Sequence, residues 1–254
     1  MAVHHTTASS IHSLARNASL VAGATLLSRI LGFVRDLVIA FSLGAGPFAD
    51  AFFVAFRLPN LLRRLFAEGS LTMAFVPVFT RTKNEQGLQK AFLLARSVQI
   101  WLLIILGVIV CLGVFFARPI TLMIAPGFKE NPEVFTLTVQ LVRICFPYII
   151  FISSVALCMG ILNSMNHFLA PALAPCVLNI ILISFALTAY FFHFNVPLFL
   201  SFGVLAAGFG QWLLQQPFLQ SLGFKWKGPF VFENKDVKKI GRLMLPTIVG
   251  AAVY

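Results

Sequence analysis

The sequence has 254 residues, 59% of them hydrophobic and 11% charged, with a formal net charge of +11 and a mean hydropathy of +0.92. This composition excludes an ordinary water-soluble domain and is typical of a membrane protein. Lipid offers backbone groups no hydrogen-bond partner, and the apolar stretches lack the alternation of barrel strands. The sequence therefore predicts an all-α, polytopic transmembrane helical bundle.

Six membrane spans and the start of a seventh are predicted along the chain. They cover residues 18–44, 47–80, 88–117, 133–163, 168–192 and 197–222, and the last begins near residue 237. The second span is too long for one straight crossing, and Pro59, Gly69 and Pro77 predict a broken or bent helix there. Three parts follow: a polar amino-terminal extension (1–15), a six-helix transmembrane lobe (16–222), and a basic connection with the start of a seventh helix (223–254).

Basic residues outside the apolar cores of the spans are concentrated on one side of the predicted bundle. They are Arg16, Arg81, Lys83, Lys90, Arg96, Lys225, Lys227, Lys235, Lys238, Lys239 and Arg242. The connections on the opposite side contain Arg118 and Lys129. The positive-inside rule therefore predicts a cytoplasmic amino terminus, with the 81–90 and 223–236 connections on the same side. The positive-inside distribution explains most of the net charge, so no nucleic-acid partner is needed to account for it.

Motifs of several enzyme classes are absent from the sequence. It contains no GxxxxGK[ST] loop, GxSxG elbow or HExxH pair, so no motif indicates ATP hydrolysis, acyl transfer or zinc proteolysis. The five histidines are scattered, and the four cysteines lie in apolar segments without a CxxC pair. This pattern indicates buried thiols rather than a metal site. We therefore expect neither catalysis nor a cofactor.

Arginines also occur inside the predicted spans, where a charged side chain facing lipid costs about 2.5–3.5 kcal/mol. They are Arg29, Arg35, Arg57, Arg63, Arg64 and Arg143. The acids of the first two spans are few, namely Asp36, Asp50 and Glu68. A surplus of positive charge remains in this part of the bundle even if all of these acids are paired.

The intramembrane arginines have two interpretations. Some long side chains are expected to extend to the membrane interface (snorkelling), namely those of Arg57, Arg96 and Arg118. We interpret Arg29, Arg35 and Arg63 as lining a water-filled cavity for a phosphate-like anion, because a guanidinium group binds phosphate through two parallel hydrogen bonds.

Helical geometry separates neighbouring charges at 100° per residue. Arg64 and Glu68 form an i,i+4 pair, which predicts local neutralisation of Arg64. Arg63 points about 100° away from Arg64 on an ideal helix. Arg29 and Asp36, seven residues apart, are nearly aligned. The spacing therefore predicts different roles for the adjacent residues Arg63 and Arg64.

Three stretches of the sequence carry a resemblance to a known family. They are "SRILGFVRDLVIAFSLGAGPFADAFFVAFRLPNLLRRLFAEGSLTMAFVPVF", "APGF" and "FPYIIFISSVALCMGILNSMNHFLAPALAPCVLNI". Together they resemble the MurJ (MviN) family of bacterial lipid II flippases, which belongs to the multidrug/oligosaccharidyl-lipid/polysaccharide exporter superfamily. The resemblance covers the chain after about residue 15.

The resemblance implies a function, a substrate and a location. The substrate would be undecaprenyl-diphosphate carrying the peptidoglycan precursor, moved from the cytoplasmic to the periplasmic leaflet of the bacterial inner membrane by alternating access. Essential cavity arginines of the family correspond to Arg29 in "SRILG", Arg35 in "VRD" and Arg63 in "NLLRR". Asp50 in "ADAFF" corresponds to a functionally sensitive acid near the periplasmic gate. The remaining charged residues are expected in gate or structural ion pairs; these are Asp36, Arg64 and Glu68.

Family members resemble fourteen-helix proteins of about twice this length, so the chain is expected to contain the amino-terminal lobe and to lack its carboxy-terminal partner lobe. A fragment, a truncated reading frame and half of a split protein all stay open as the origin of this chain.

Three functions other than lipid II transport also stay open. One is an enzyme acting on a polyprenyl diphosphate, disfavoured because the acids are dispersed. The others are an exporter of another anionic lipid-linked saccharide or drug on the same fold, and an inactive truncated product.

Overall fold

The structure, a computed structural model, describes residues 3–63, 71–232 and 235–253, and the side chains of most of these from residue 18 onward. Throughout these ranges the secondary structure is helical, without a strand. The helices are α1 (Val3–Leu43), α2 (Pro47–Arg63), α3 (Leu71–Gln86), α4 (Leu88–Phe115), α5 (Ala117–Ile124), α6 (Pro132–Cys145), α7 (Tyr148–Ser164), α8 (Leu169–Phe191), α9 (Val196–Ser221) and α10 (Lys235–Val253). A 3-10 turn, Pro126–Glu130, precedes α6.

The helical membrane bundle predicted from composition is confirmed. Four segments of the described chain are long and apolar enough to cross a membrane: Leu88–Phe115, Pro132–Ser164, Leu169–Phe191 and Val196–Ser221. The second of these combines α6 and α7, which meet at Phe146 and Pro147. A short amphipathic helix, α5, was not predicted.

The described parts of the predicted second span are α2 and α3, of 17 and 16 residues. Pro59 lies inside α2 and Pro77 inside α3, so the chain is helical on both sides of each proline. The two helices are separated by residues 64–70, which lie outside the described part and include Gly69. Membrane helices tolerate such internal prolines because neighbouring groups satisfy the freed carbonyls.

Helix α7 lies at the centre of the packing and contacts α3, α4 and α9. Its side chains include several that are almost completely buried, among them Tyr148, Ile149, Leu157 and Ile161. Helix α8 packs between α1 and α9, α2 packs on α6, and α10 contacts α3 and α4. This arrangement leaves one side of α1 exposed, and that side carries Leu26, Ile30, Phe33 and Leu37.

Two basic connections lie together at one end of the bundle. Lys83, near the end of α3, donates a hydrogen bond from Nζ to the carbonyl oxygen of Ser164 at the end of α7 (2.7 Å). Arg81 of α3 pairs with Asp236 in the first turn of α10, with Nη2 and Oδ1 2.8 Å apart. The 81–90 and 223–236 connections therefore share one end, as the charge distribution predicts. Which side of the membrane this end faces stays a prediction.

Close packing of α4 on the bend between α6 and α7 depends on a glycine. A Cβ atom added to Gly113 would overlap the ring of Phe146, whereas one added to Gly107 on the same helix would meet no atom within 4 Å. We expect Gly113→Ala to destabilise the protein by about 1–3 kcal/mol, because the ring must move in a packed interior. Thermal unfolding in detergent measures this, with Gly107→Ala as the matched control. Equal melting temperatures for the two variants would contradict the packing.

Candidate anion site on helix 1

Arg35 is held at the contact between α1 and α8 by two side chains. Its Nε and Nη2 donate to Oδ1 of Asp36 at 3.0 and 2.7 Å, and its Nη1 donates to Oδ1 of Asn179 at 2.9 Å. The Arg35 side chain is 24% exposed, whereas that of Asp36 is 68% exposed. A guanidinium group has five N–H donors, so two remain, on Nη1 and Nη2, for a further acceptor.

Asn179 of α8 holds Arg35 in place by a hydrogen bond between the two helices. It is buried, and its Nδ2 donates to the carbonyl oxygen of Ser28 on α1 (3.0 Å). Cys176 lies one turn earlier on α8, and its Sγ is 3.7 Å from the carbonyl oxygen of Ala24. The two helices are thus joined at two levels.

Asn179 was not among the site residues predicted from the sequence. The signal was present, because an amide in the apolar stretch "PCVLNIILI" must find a partner in lipid. Its partner could not be read from spacing, since Asn179 and Arg35 are 144 residues apart.

The remaining predicted site residues are only partly brought together. Arg29 is an exposed residue of α1, about 9 Å along the helix axis from Arg35 at 1.5 Å per residue. Asp50 is exposed in the first turn of α2, where the helix dipole favours a carboxylate. Arg63 ends α2, and its side chain lies outside the described residues, as do Arg64 and Glu68. Convergence of Arg29, Arg35 and Arg63 therefore stays a prediction.

The arginines assigned to snorkelling have different surroundings. Arg57 is exposed, and Arg118 is exposed with its guanidinium carbon 5.8 Å from the centre of the Phe135 ring. The expectation for Arg96 is wrong, because the residue is buried under other parts of the chain and is 9% exposed. Its Nε and Nη1 donate to the carbonyl oxygens of Pro229 and Lys225. The α9–α10 connection folds over α4 and covers Arg96, which spacing along α4 could not reveal.

Among the described residues, no group of three or more histidine, cysteine or acidic side chains is placed to hold a metal ion. The chemistry available on α1 is recognition by guanidinium groups. Arg35 is pre-oriented by Asp36 and Asn179, and planar N–H donors fit phosphate better than a point charge does. A fixed arginine with donors left over can bind an anionic oxygen without losing much rotamer freedom.

A family model described as "Lipid II flippase MurJ" matches residues 39–254, from the end of α1 through α10. The chain belongs to the MurJ family. Arg29 and Arg35 precede the matched region, whereas Asp50 and Arg63 lie within it.

Curated MurJ relatives are similar over most of this chain. The "Probable lipid II flippase MurJ" of Buchnera aphidicola subsp. Acyrthosiphon pisum is 41% identical over 230 residues, covering 90% of this chain and 45% of that protein. The "Lipid II flippase MurJ" of Burkholderia cenocepacia is 42% identical over 208 residues, covering 80% of this chain and 39% of that protein. The chain thus spans less than half the length of these curated relatives.

Solved structures give the same fold. The "Lipid II flippase MurJ, inward closed conformation" has a TM-score of 0.73 at 29% identity, covering 92% of this chain and 48% of that one. An outward-facing multidrug resistance MATE family transporter of the MOP superfamily has a TM-score of 0.73 at 15% identity, covering 93% of this chain and 52% of that one. The MATE similarity supports the fold alone. The chain has the fold of one lobe of this exporter superfamily.

Proposed function

We propose that the chain is the amino-terminal lobe of a lipid II flippase of the bacterial inner membrane. It acts with a carboxy-terminal lobe and moves the undecaprenyl-diphosphate-linked peptidoglycan precursor from the cytoplasmic to the periplasmic leaflet by alternating access. Membership of the MurJ family is the observation that carries the proposal. The substrate diphosphate is held by Arg29, Arg35 and Arg63. Asp36, Asp50, Arg64 and Glu68 are assigned to gate contacts or structural ion pairs.

The surroundings of Arg35 support this assignment. A guanidinium group that is 24% exposed and has two N–H donors left over suits a ligand with several anionic oxygens. Arg29 adds a second positive charge on the same helix. The one described acid bound to either arginine is Asp36, so the pair keeps a net positive charge.

A complementation experiment tests the function. A chimera joins residues 1–254 to the carboxy-terminal remainder of the Burkholderia cenocepacia relative, and is expressed in a bacterial strain depleted of its own lipid II flippase. We expect the chimera to restore growth and residues 1–254 alone to fail, because one lobe has no second bundle to move against. Rescue by residues 1–254 alone would indicate that a second copy supplies the other lobe. Failure of a chimera that is present in the membrane would contradict the flippase function.

Orientation is tested separately by cysteine labelling. Cys111 is the exposed cysteine of the described residues, so Cys111→Ser provides the background. We expect Glu85→Cys in intact cells to resist a membrane-impermeant maleimide and Lys129→Cys to react, because the basic end faces the cytoplasm. Reaction of Glu85→Cys with protection of Lys129→Cys would reverse the topology.

A further inference from the structure

Arg96 is a buried charge whose bonded partners are neutral. The residue is 9% exposed, and its guanidinium donates to the carbonyl oxygens of Pro229 (2.9 Å) and Lys225 (3.2 Å). Within the described part of the chain, no carboxylate pairs with it. An arginine stays charged at any relevant pH, and burial of a charge without a counter-charge is unfavourable. Three of its five N–H donors remain after these two bonds.

This guanidinium lines a cavity of about 260 Å³ between α4, α9 and the α9–α10 connection. The walls include Gln99, Leu103, Trp212, Trp226 and Phe230. The connection approaches Arg96 closely, since a Cβ on Gly228 would lie 2.9 Å from its Cζ. The cavity therefore combines aromatic walls with one buried positive charge.

We propose that this cavity binds the headgroup of an anionic membrane phospholipid such as phosphatidylglycerol, with its phosphate on Arg96. The site is distinct from the one on α1, because Arg96 is bonded to the α9–α10 connection and Arg35 to α8. It does not depend on the flippase function.

Position favours a lipid over a free anion. Lys225 and Lys227 are exposed beside the cavity, and tryptophans concentrate where a membrane meets water. Leu103 of the cavity wall is 42% exposed, which provides apolar surface for the first part of an acyl chain. The phosphates of phosphatidylethanolamine and phosphatidylcholine are neutralised by the ammonium groups of their own headgroups, whereas the phosphate of phosphatidylglycerol is not. Phosphatidylglycerol should therefore bind better than either of the other two.

Native mass spectrometry of the delipidated 254-residue chain tests the proposal. The chain in detergent is titrated with dioleoyl phosphatidylethanolamine, phosphatidylglycerol or phosphatidylcholine, and with inorganic phosphate in a competing arm. We expect phosphatidylglycerol to bind about fivefold more tightly than the other two lipids, the ratio that one basic residue beside an anionic lipid gives. Arg96→Gln and Leu103→Phe should each remove this preference, the first by removing the charge and the second by filling the cavity. Arg118→Gln, an exposed arginine elsewhere, should leave it unchanged.

Leu103→Phe keeps every hydrogen bond of Arg96, so the test does not depend on the folding of Arg96→Gln. Melting temperatures confirm that each variant is folded. Equal binding of the three lipids, or an unchanged preference in Leu103→Phe, would overturn the proposal. Displacement of the bound lipid by inorganic phosphate would assign the cavity to a free anion and would also overturn it.

Discussion

Replacing Arg35 with alanine in the chimera is expected to abolish rescue of the flippase-depleted strain. Removing one partner of a buried, hydrogen-bonded charge pair costs about 2–5 kcal/mol, which is a factor of about 30 or more in affinity. In the proposed site that partner is the substrate diphosphate. Arg35→Lys should recover part of the activity, because an ammonium group keeps the charge but loses the planar pair of donors.

Asn179→Leu tests whether the orientation of Arg35, apart from its charge, is needed for substrate binding. It leaves the charge in place and removes the 2.9 Å bond that orients it. We expect partial loss of rescue and a stability loss of about 1–3 kcal/mol, since the carbonyl of Ser28 also loses its donor. Arg118→Ala, an exposed arginine outside the site, should rescue normally. Normal rescue by Arg35→Ala in a stably inserted chimera would remove Arg35 from the anion site.

Most of the fold could be predicted from the sequence because lipid imposes few solutions. Long apolar runs must be helices, and turn residues such as those of "GAGP" and "NVP" separate them. The predicted first span ends at residue 44, and α1 ends at Leu43. The bend at Phe146 and Pro147 and the short helix α5 were missed. Both depend on how neighbouring helices pack, which hydropathy does not record.

The candidate site was less predictable because its contacts join distant parts of the chain. Counting charges identified Arg35 as a residue that needs a partner, but helical spacing aligned Asp36 with Arg29, whereas it binds Arg35. Asn179 could not be predicted as a partner, since α8 is brought to α1 only by the fold. For Arg96 the sequence predicted a surface position, and the structure shows a buried one. Its position on α4 favours snorkelling, but the α9–α10 connection folds over it and supplies two carbonyl oxygens.

Arg63 and Arg64 give the sharpest test of the anion site, because they are adjacent residues of identical chemistry. We expect Arg63→Ala to abolish rescue by the chimera and Arg64→Ala to reduce stability or have little effect. Glu68 lies one helical turn beyond Arg64 and can neutralise it locally, a contact typically worth about 0.2–0.5 kcal/mol. Arg63 points about 100° away on an ideal helix and has no acid at that spacing. Arg63→Lys should restore part of the activity.

The pair also controls for the effects of charge removal on insertion, since each alanine variant removes one positive charge at nearly the same depth. Membrane levels of both variants are compared before growth is scored. If Arg64→Ala abolishes rescue while Arg63→Ala is tolerated, the diphosphate is not held by the face of α2 that carries Arg63, and Arg64 takes its place beside Arg29 and Arg35.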